Sequence, residues 1–166
     1  MLTKCNFFTI PERRFFKLAF NRFNSLHINP MQIVYQINPE ISVHDLIEIL
    51  KKSSLGLRRP LSDLEAMESM LVHANYYIGA YENGNLVGLA RAMTDFVYTT
   101  YLADLAVDEK YQHQGIGKEL IKMLKRNIPK AKLILLAAPA AEAYYPKIGM
   151  QNHPHCYYID DVANII

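Results

Sequence analysis

Cysteine is scarce in this chain. Of 166 residues only Cys5 and Cys156 carry a thiol, near opposite ends and without a C-x-x-C pair. Neither a disulfide framework nor a zinc ribbon is therefore encoded, and the usage fits a reducing compartment. We expect a cytoplasmic protein. Long apolar runs are missing too: "LILLAA" ends at Pro139, well below the roughly 18 residues of a membrane span, so no integral membrane segment is expected. No secretory signal is expected either, because charges interrupt the apolar residues near the start. Internal repeats and low-complexity linkers are absent. A strong excess of one charge is absent as well, the net being +2. That small surplus is uneven. Residues Met1 to Pro30 hold five Lys/Arg against one Glu, which leaves the remainder at −2. A slightly acidic body argues against a nucleic-acid partner.

What is present reads as a globular domain. The length suits one domain, and hydrophobic and charged fractions of 51% and 20% are those of a folded chain. Residues 1–30 form a basic extension. Thr9-Ile10-Pro11-Glu12 fits a capping box, and Phe16, Phe20 and Phe23 recur at helical spacing beside four basic residues. A membrane-surface helix, a targeting peptide and a simple appendage before a domain at 31–166 all fit this pattern.

From Met31 the periodicity is clearer. "MQIVYQI" alternates as a half-buried strand. Ser42 caps a helix with Val43, Leu46, Ile47 and Leu50 on one face. After a "SLGLRRP" loop, Ser62 and Glu65 suggest a second capping box for a helix to about His73. "NYYIGAYENGNLVGLARAM" predicts a hairpin turning at Asn83-Gly84. "VYTTYLADLAV" predicts the next strand, and residues 115–127 a helix facing inward with Ile116, Leu120, Met123 and Leu124. "KLILLAA" reads as a buried strand, residues 140–147 as a short helix and residues 156–159 as a last strand. The order β-α-α-β-β-β-α-β-α-β gives an α+β, or mixed α/β, layered fold.

Two glycines stand close together in "YQHQGIGKEL", Tyr111 to Leu120. A dinucleotide fingerprint needs a third glycine where Leu120 stands, and a nucleotide P-loop needs Ser or Thr where Glu119 follows Lys118. Both fail. A glycine pair opening a helix still offers free N–H groups to an anion, or is merely a tight turn.

The run "LADLAVDEKYQHQGIGKELIKML" resembles the central motif of the GNAT superfamily of acetyl-CoA-dependent N-acyltransferases. Gln112-His113-Gln114-Gly115-Ile116-Gly117 stands where the family has Gln/Arg-x-x-Gly-x-Gly/Ala, after Leu105-Ala106-Val107. "AAEAYYPKIGM" resembles a second family element, matching it at Ala141, Tyr145 and Gly149, with Met150 in place of Phe. The likeness covers nearly all of the chain after residue 30. It implies a central mixed, mostly antiparallel sheet splayed after the fourth strand and flanked by helices. Acetyl-CoA would be the co-substrate, its pantetheine arm on the backbone of Leu105, Ala106 and Val107. Its pyrophosphate would lie on the N–H groups of Gln112, His113, Gln114, Gly115, Ile116, Gly117 and Lys118. Ala137-Ala138-Pro139 replaces an asparagine that often grips pantetheine, which leaves that contact to backbone groups.

The resemblance implies transfer of acetyl to a primary amine of a small-molecule or peptide acceptor, by a monomer or homodimer. Tyr145 matches the family's general acid, against the alternative of a packed ring. Asp104 is the best-placed carboxylate for a base, against the alternative of a hydrogen bond or ion pair. Arg58, Arg59, Arg91 and Asp95 are candidates for acceptor recognition. His153, His155 and Cys156 in "NHPHC" are too close on an extended segment to surround one ion, so no metal is expected and they are read as lining the acceptor pocket. A catalytically silent CoA-binding sensor is the alternative function.

Overall fold

The structure, a computed structural model, describes residues 32–166. The helix expected after Thr9 and the boundary at Met31 lie outside the described residues. Strand β1 (Ile33–Ile37) leads to α1 (Val43–Lys51), a 3-10 turn (Ser54–Arg58) and α2 (Leu64–Val72). Strands β2 (Tyr76–Glu82), β3 (Asn85–Thr94) and β4 (Thr99–Val107) follow. A 3-10 turn at Glu109–Tyr111 then leads to α3 (Ile116–Asn127), the short β5 (Lys132–Ile134) and α4 (Tyr144–Lys147). The strands form one sheet in chain order, antiparallel from β1 to β4 and parallel between β4 and β5.

Local chemistry accounts for most element ends. Ser42 and Asp45 form the reciprocal capping box of α1, which satisfies two N–H groups the first turn leaves open. The hairpin expected at Asn83-Gly84 is present, with φ of 49° and 81°, the positive values of a tight β2–β3 turn. α2 departs from expectation: Asp63, not Ser62, is its N-cap and accepts the Ala66 N–H.

Each sheet face has its own core. Leu46, Ile49 and Leu50 of α1 and Met67 of α2 pack with Leu89 and Ala106 on one face. On the other, Ile116, Leu120, Ile121 and Leu124 of α3 pack on Ile78, Ala80, Val87 and Ala90. A fully buried leucine contributes about 1.5–3 kcal/mol relative to exposure, so α1 is fixed by three such apolar groups and α3 by four, while α2 contributes Met67 alone. Gly88 lets α3 approach β3: a Cβ there would lie 2.9 Å from Ile116 Cγ2.

Two irregularities open β4. The β3 register passes from Arg91↔Asp104 to Ala92↔Leu102, so Ala103 is an extra residue, a bulge. On the other side, pairing with β5 runs only from Thr99↔Lys132 to Tyr101↔Ile134. The sheet is therefore splayed after its fourth strand.

Three expectations are corrected. The "KLILLAA" strand is three residues long and not buried: Ile134 and Leu136 are 37% and 51% exposed, because the chain leaves β4 after Ile134. The helix expected over 140–147 is a 3-10 turn (Pro139–Ala141) followed by α4. Residues 156–159 form no strand; they pair with no strand among the described residues, and the segment from 151 to 166 is exposed.

Candidate active site

Strand alternation decides which backbone groups of β4 are open. The Asp108 N–H donates to the Val87 carbonyl of β3. In a strand successive residues turn their backbone groups to opposite sides. Ala106 and Asp104 thus face β3, while Leu105 and Val107 face the side that β5 has left. Gln112 closes part of this edge, its Nε2 donating to the Val107 carbonyl at 3.1 Å.

The loop after β4 is held from three directions. Asp108 accepts the Lys110 N–H at 2.9 Å, Tyr111 donates its hydroxyl to Glu82 at 2.6 Å, and Gln114 Nε2 reaches the Lys110 carbonyl at 3.2 Å. His113 and Gly115 have φ of 63° and 85°, so the chain curls twice before α3 starts. The first intrahelical bond of α3 is Glu119 N–H to Gly115 C=O. The N–H groups of Ile116, Gly117 and Lys118 therefore have no helical acceptor and carry the positive end of the dipole. A Cβ at Gly117 would stand 3.2 Å from the Tyr144 hydroxyl and 3.8 Å from Leu105 and Val107 side-chain carbons. The helix start, the open edge and a tyrosine thus meet at one place. That cradle suits a diphosphate continuing into a chain of amides.

Tyr144 and Tyr145 lie side by side on α4, rings edge to face with centroids 5.3 Å apart. Burial raises the pKa of Tyr144. Burial, and then the charge of Tyr144, raises that of Tyr145. Both phenols keep their protons at neutral pH.

Across the bulge lies a buried charge cluster. Asp104 has no side-chain exposure. Its Oδ1 accepts from Arg59 Nε at 2.8 Å and its Oδ2 from Arg91 Nε at 2.5 Å. Arg59 also donates to the Ala103 carbonyl, and Arg91 to the Met70 carbonyl. Beside this cluster is an open cavity of about 430 Å3 whose lining includes Arg59, Arg91, Ser69, His73, Tyr101 and Ala103. His73 Nδ1 is 2.8 Å from the Ser69 carbonyl. A carbonyl only accepts, so Nδ1 carries a proton and Nε2 is the nitrogen with a lone pair in the neutral ring.

The profile of the acetyltransferase (GNAT) domain matches residues 54–158. The chain belongs to the GNAT acetyltransferase family. It is similar to a Glycine max protein named histone acetyltransferase TAP1, with 29% identity over 134 residues, 74% of this chain and 58% of that one. The chain thus spans less than two-thirds of the length of that relative. Among solved structures it is similar to a GNAT family acetyltransferase of Streptococcus pneumoniae TIGR4, at a TM-score of 0.64 and 22% identity, covering 78% of this chain and 98% of that one. An aminoglycoside N-acetyltransferase AAC(6')-Iy, solved with CoA, gives a TM-score of 0.63 at 14% identity, covering 82% and 99%. At these identities the two structures establish the fold.

The GNAT motif residues fall on one continuous feature. Leu105 and Val107 form the open edge, while Ala106 between them turns its backbone groups to β3 and departs from the expected pantetheine contact; Gln112 to Lys118 form the loop and helix start. Asp104 departs from the expected base. Its side chain lies on the sheet face that α1 and α2 cover, fully buried, with both oxygens engaged by guanidinium groups, and the geometry is that of a structural ion pair. Asp95 is likewise structural: its Oδ1 accepts the N–H groups of Val97, Tyr98 and Thr99 in the β3–β4 turn. These backbone bonds, that from Thr99 foremost, lower its pKa. Arg58 is exposed and outside the cavity lining. His153, His155 and Cys156 are exposed and also line no part of it, which corrects their reading as pocket residues. The His155 N–H donates to His153 Nδ1 at 3.1 Å. His73 gives no functional signal in the sequence, where it is an ordinary helix end; its ring is fixed by the Ser69 backbone carbonyl, a contact that any residue at 69 would supply.

Proposed function

We propose that residues 31–166 are an acetyltransferase domain that moves the acetyl group of acetyl-CoA to a primary amine, with residues 1–30 an extension outside it. The observation that carries this reading is the continuity of the open β4 edge with the unpaired N–H groups at the start of α3. Leu105 offers its amide and carbonyl groups, and Val107 its carbonyl, to the pantetheine arm as a strand would. Ile116, Gly117 and Lys118 offer N–H groups to the pyrophosphate. Acetyl-CoA supplies the acetyl group as an activated thioester.

The remaining work belongs to this chain. The Val107 N–H donates to the carbonyl oxygen as charge develops there. With Asp104 committed to two arginines, His73 Nε2 accepts the proton that the amine loses. The new C–N bond forms as the C–S bond breaks, and Tyr145 gives the departing sulfur its proton. Solvent then returns the proton from His73 to Tyr145, so the cycle balances. A reducing compartment remains our reading from the cysteines, and a small amine our reading of the acceptor.

A second reading, a silent CoA sensor, is favoured by the lack of a free carboxylate on β4. Two measurements on the full chain separate the readings. CoA at about 100 times its Kd adds roughly 2.7 kcal/mol and raises the melting temperature under either reading. Release of free thiol from acetyl-CoA with a panel of amines is expected only of the enzyme. No melting shift at millimolar CoA would remove both.

A further inference from the structure

We infer that the cavity beside Ala103 receives the acceptor, and that this acceptor is a small amine bearing its own carboxylate. The inference rests on the acetyl-transfer reading and names its substrate class.

Charge balance is the first argument. Two guanidinium groups, Arg59 and Arg91, meet one carboxylate, Asp104. The cluster keeps one positive charge, and no Asp or Glu lines the cavity beside it. A buried surplus of this kind is costly unless a counter-charge reaches it.

Donor bookkeeping is the second. An arginine has five N–H donors. Arg91 uses its Nε on Asp104 and its Nη1 on the Met70 carbonyl. Its Nη2 has no acceptor among the described residues, and no buried side-chain nitrogen among them lacks a partner. Nη2 is therefore reached from the cavity that Arg91 lines. A guanidinium offers a planar pair of donors matched to a carboxylate. Asp104 holds Nε and thereby fixes the plane in which the other donors lie.

Position is the third. The cavity is bordered by Tyr101, the last residue of β4 with a β5 partner, and by Ala103, the bulged residue just beyond it. An amine held by its carboxylate on Arg91 is thereby placed beside the open edge, with His73 on the same wall. Asp63 and Glu65 line an adjoining groove that shares Ser69, not the cavity itself. A cavity of about 430 Å3 is at the small end of ligand sites.

The test uses the full chain with acetyl-CoA and matched pairs: phenylalanine, methionine, glutamate and β-alanine, each against its amide. The amide keeps the amine and removes the charge. We expect kcat/KM by thiol release to be at least about tenfold higher for the preferred acid, mostly through KM, as when one charge-assisted hydrogen bond is lost. Arg91→Lys keeps a charge for Asp104 but removes the planar fork; it should bring the ratio close to one while CoA still raises the melting temperature. Should Arg91→Lys fail to fold, the acid-against-amide comparison in the unaltered chain decides alone. Equal use of acids and amides overturns the substrate class and leaves acetyl transfer standing. If no amine releases thiol, the transfer reading fails, and melting shifts of the CoA-saturated protein still read the cavity. Acids that stabilise it no more than their amides overturn the inference.

Discussion

Asp104 sits between Arg59 and Arg91, and its replacement separates a structural role from a catalytic one. Asp104→Asn leaves a buried guanidinium without its counter-charge, which typically costs about 3–5 kcal/mol. We expect a large loss of stability by denaturant titration, with activity falling in proportion to folded protein. A fully folded but inactive Asp104→Asn protein would instead restore the carboxylate as the base. Tyr144 and Tyr145 form a second contrast. Tyr145→Phe is expected to keep the CoA-induced melting shift and to lower kcat about a hundredfold or more, within the range of a general acid's contribution. Tyr144→Phe removes the hydroxyl that lies against Gly117 and should act mainly on CoA affinity. If the two effects are exchanged, Tyr144 is the acid and the motif register misassigns it.

At the scale of elements, the site depends on how close α3 stands to the sheet. Gly88 on β3 faces Ile116 and Leu120, and it pairs with Val107. Gly88→Ala forces the first turn of α3 outward, although residue 88 belongs to neither the loop nor the cavity. We expect CoA affinity to fall about tenfold or more by calorimetry, with overpacking costing about 1–3 kcal/mol of stability. The same elements show what could be read in advance. α1 was legible because Ser42 and the apolar period of Val43, Leu46, Ile47 and Leu50 lie within ten residues; the reciprocal contact of Asp45 came with the structure. The glycine loop was legible because its N–H geometry follows from local backbone. β5 was not, since burial of "KLILLAA" depends on what covers it, and the chain departs from β4 after Ile134. The cavity was legible only in pieces. Arg59, His73, Arg91 and Ala103 come from four separate stretches, and only the sheet register and the packing of α2 bring them to one wall.

Across the whole molecule, tyrosine couples stability to pH on the alkaline side. Tyr35, Tyr76, Tyr77, Tyr81, Tyr144 and Tyr145 all have raised pKa values, with burial the leading cause in each. An unfolded phenol titrates near pH 10. Above that, the folded state holds protons that the unfolded chain has released, so folding loses ground as pH rises further. We expect the melting temperature to be insensitive to phenol titration up to about pH 9.5 and to drop beyond about pH 10. The Tyr144→Phe, Tyr145→Phe double variant should drop less steeply. An identical alkaline fall in the double variant would show that these two rings carry none of the effect.

The parting of β4 from β5 has a consequence for the time domain. An amide with no acceptor exchanges its proton for deuterium without waiting for any part of the fold to open. Leu105 and Val107 are such amides in the middle of the sheet, between neighbours locked to β3. They should exchange in the ligand-free protein at the speed of a loop, then slow sharply when CoA is added. The first fast-exchanging positions inside a strand would thus mark, residue by residue, where the cofactor completes the sheet.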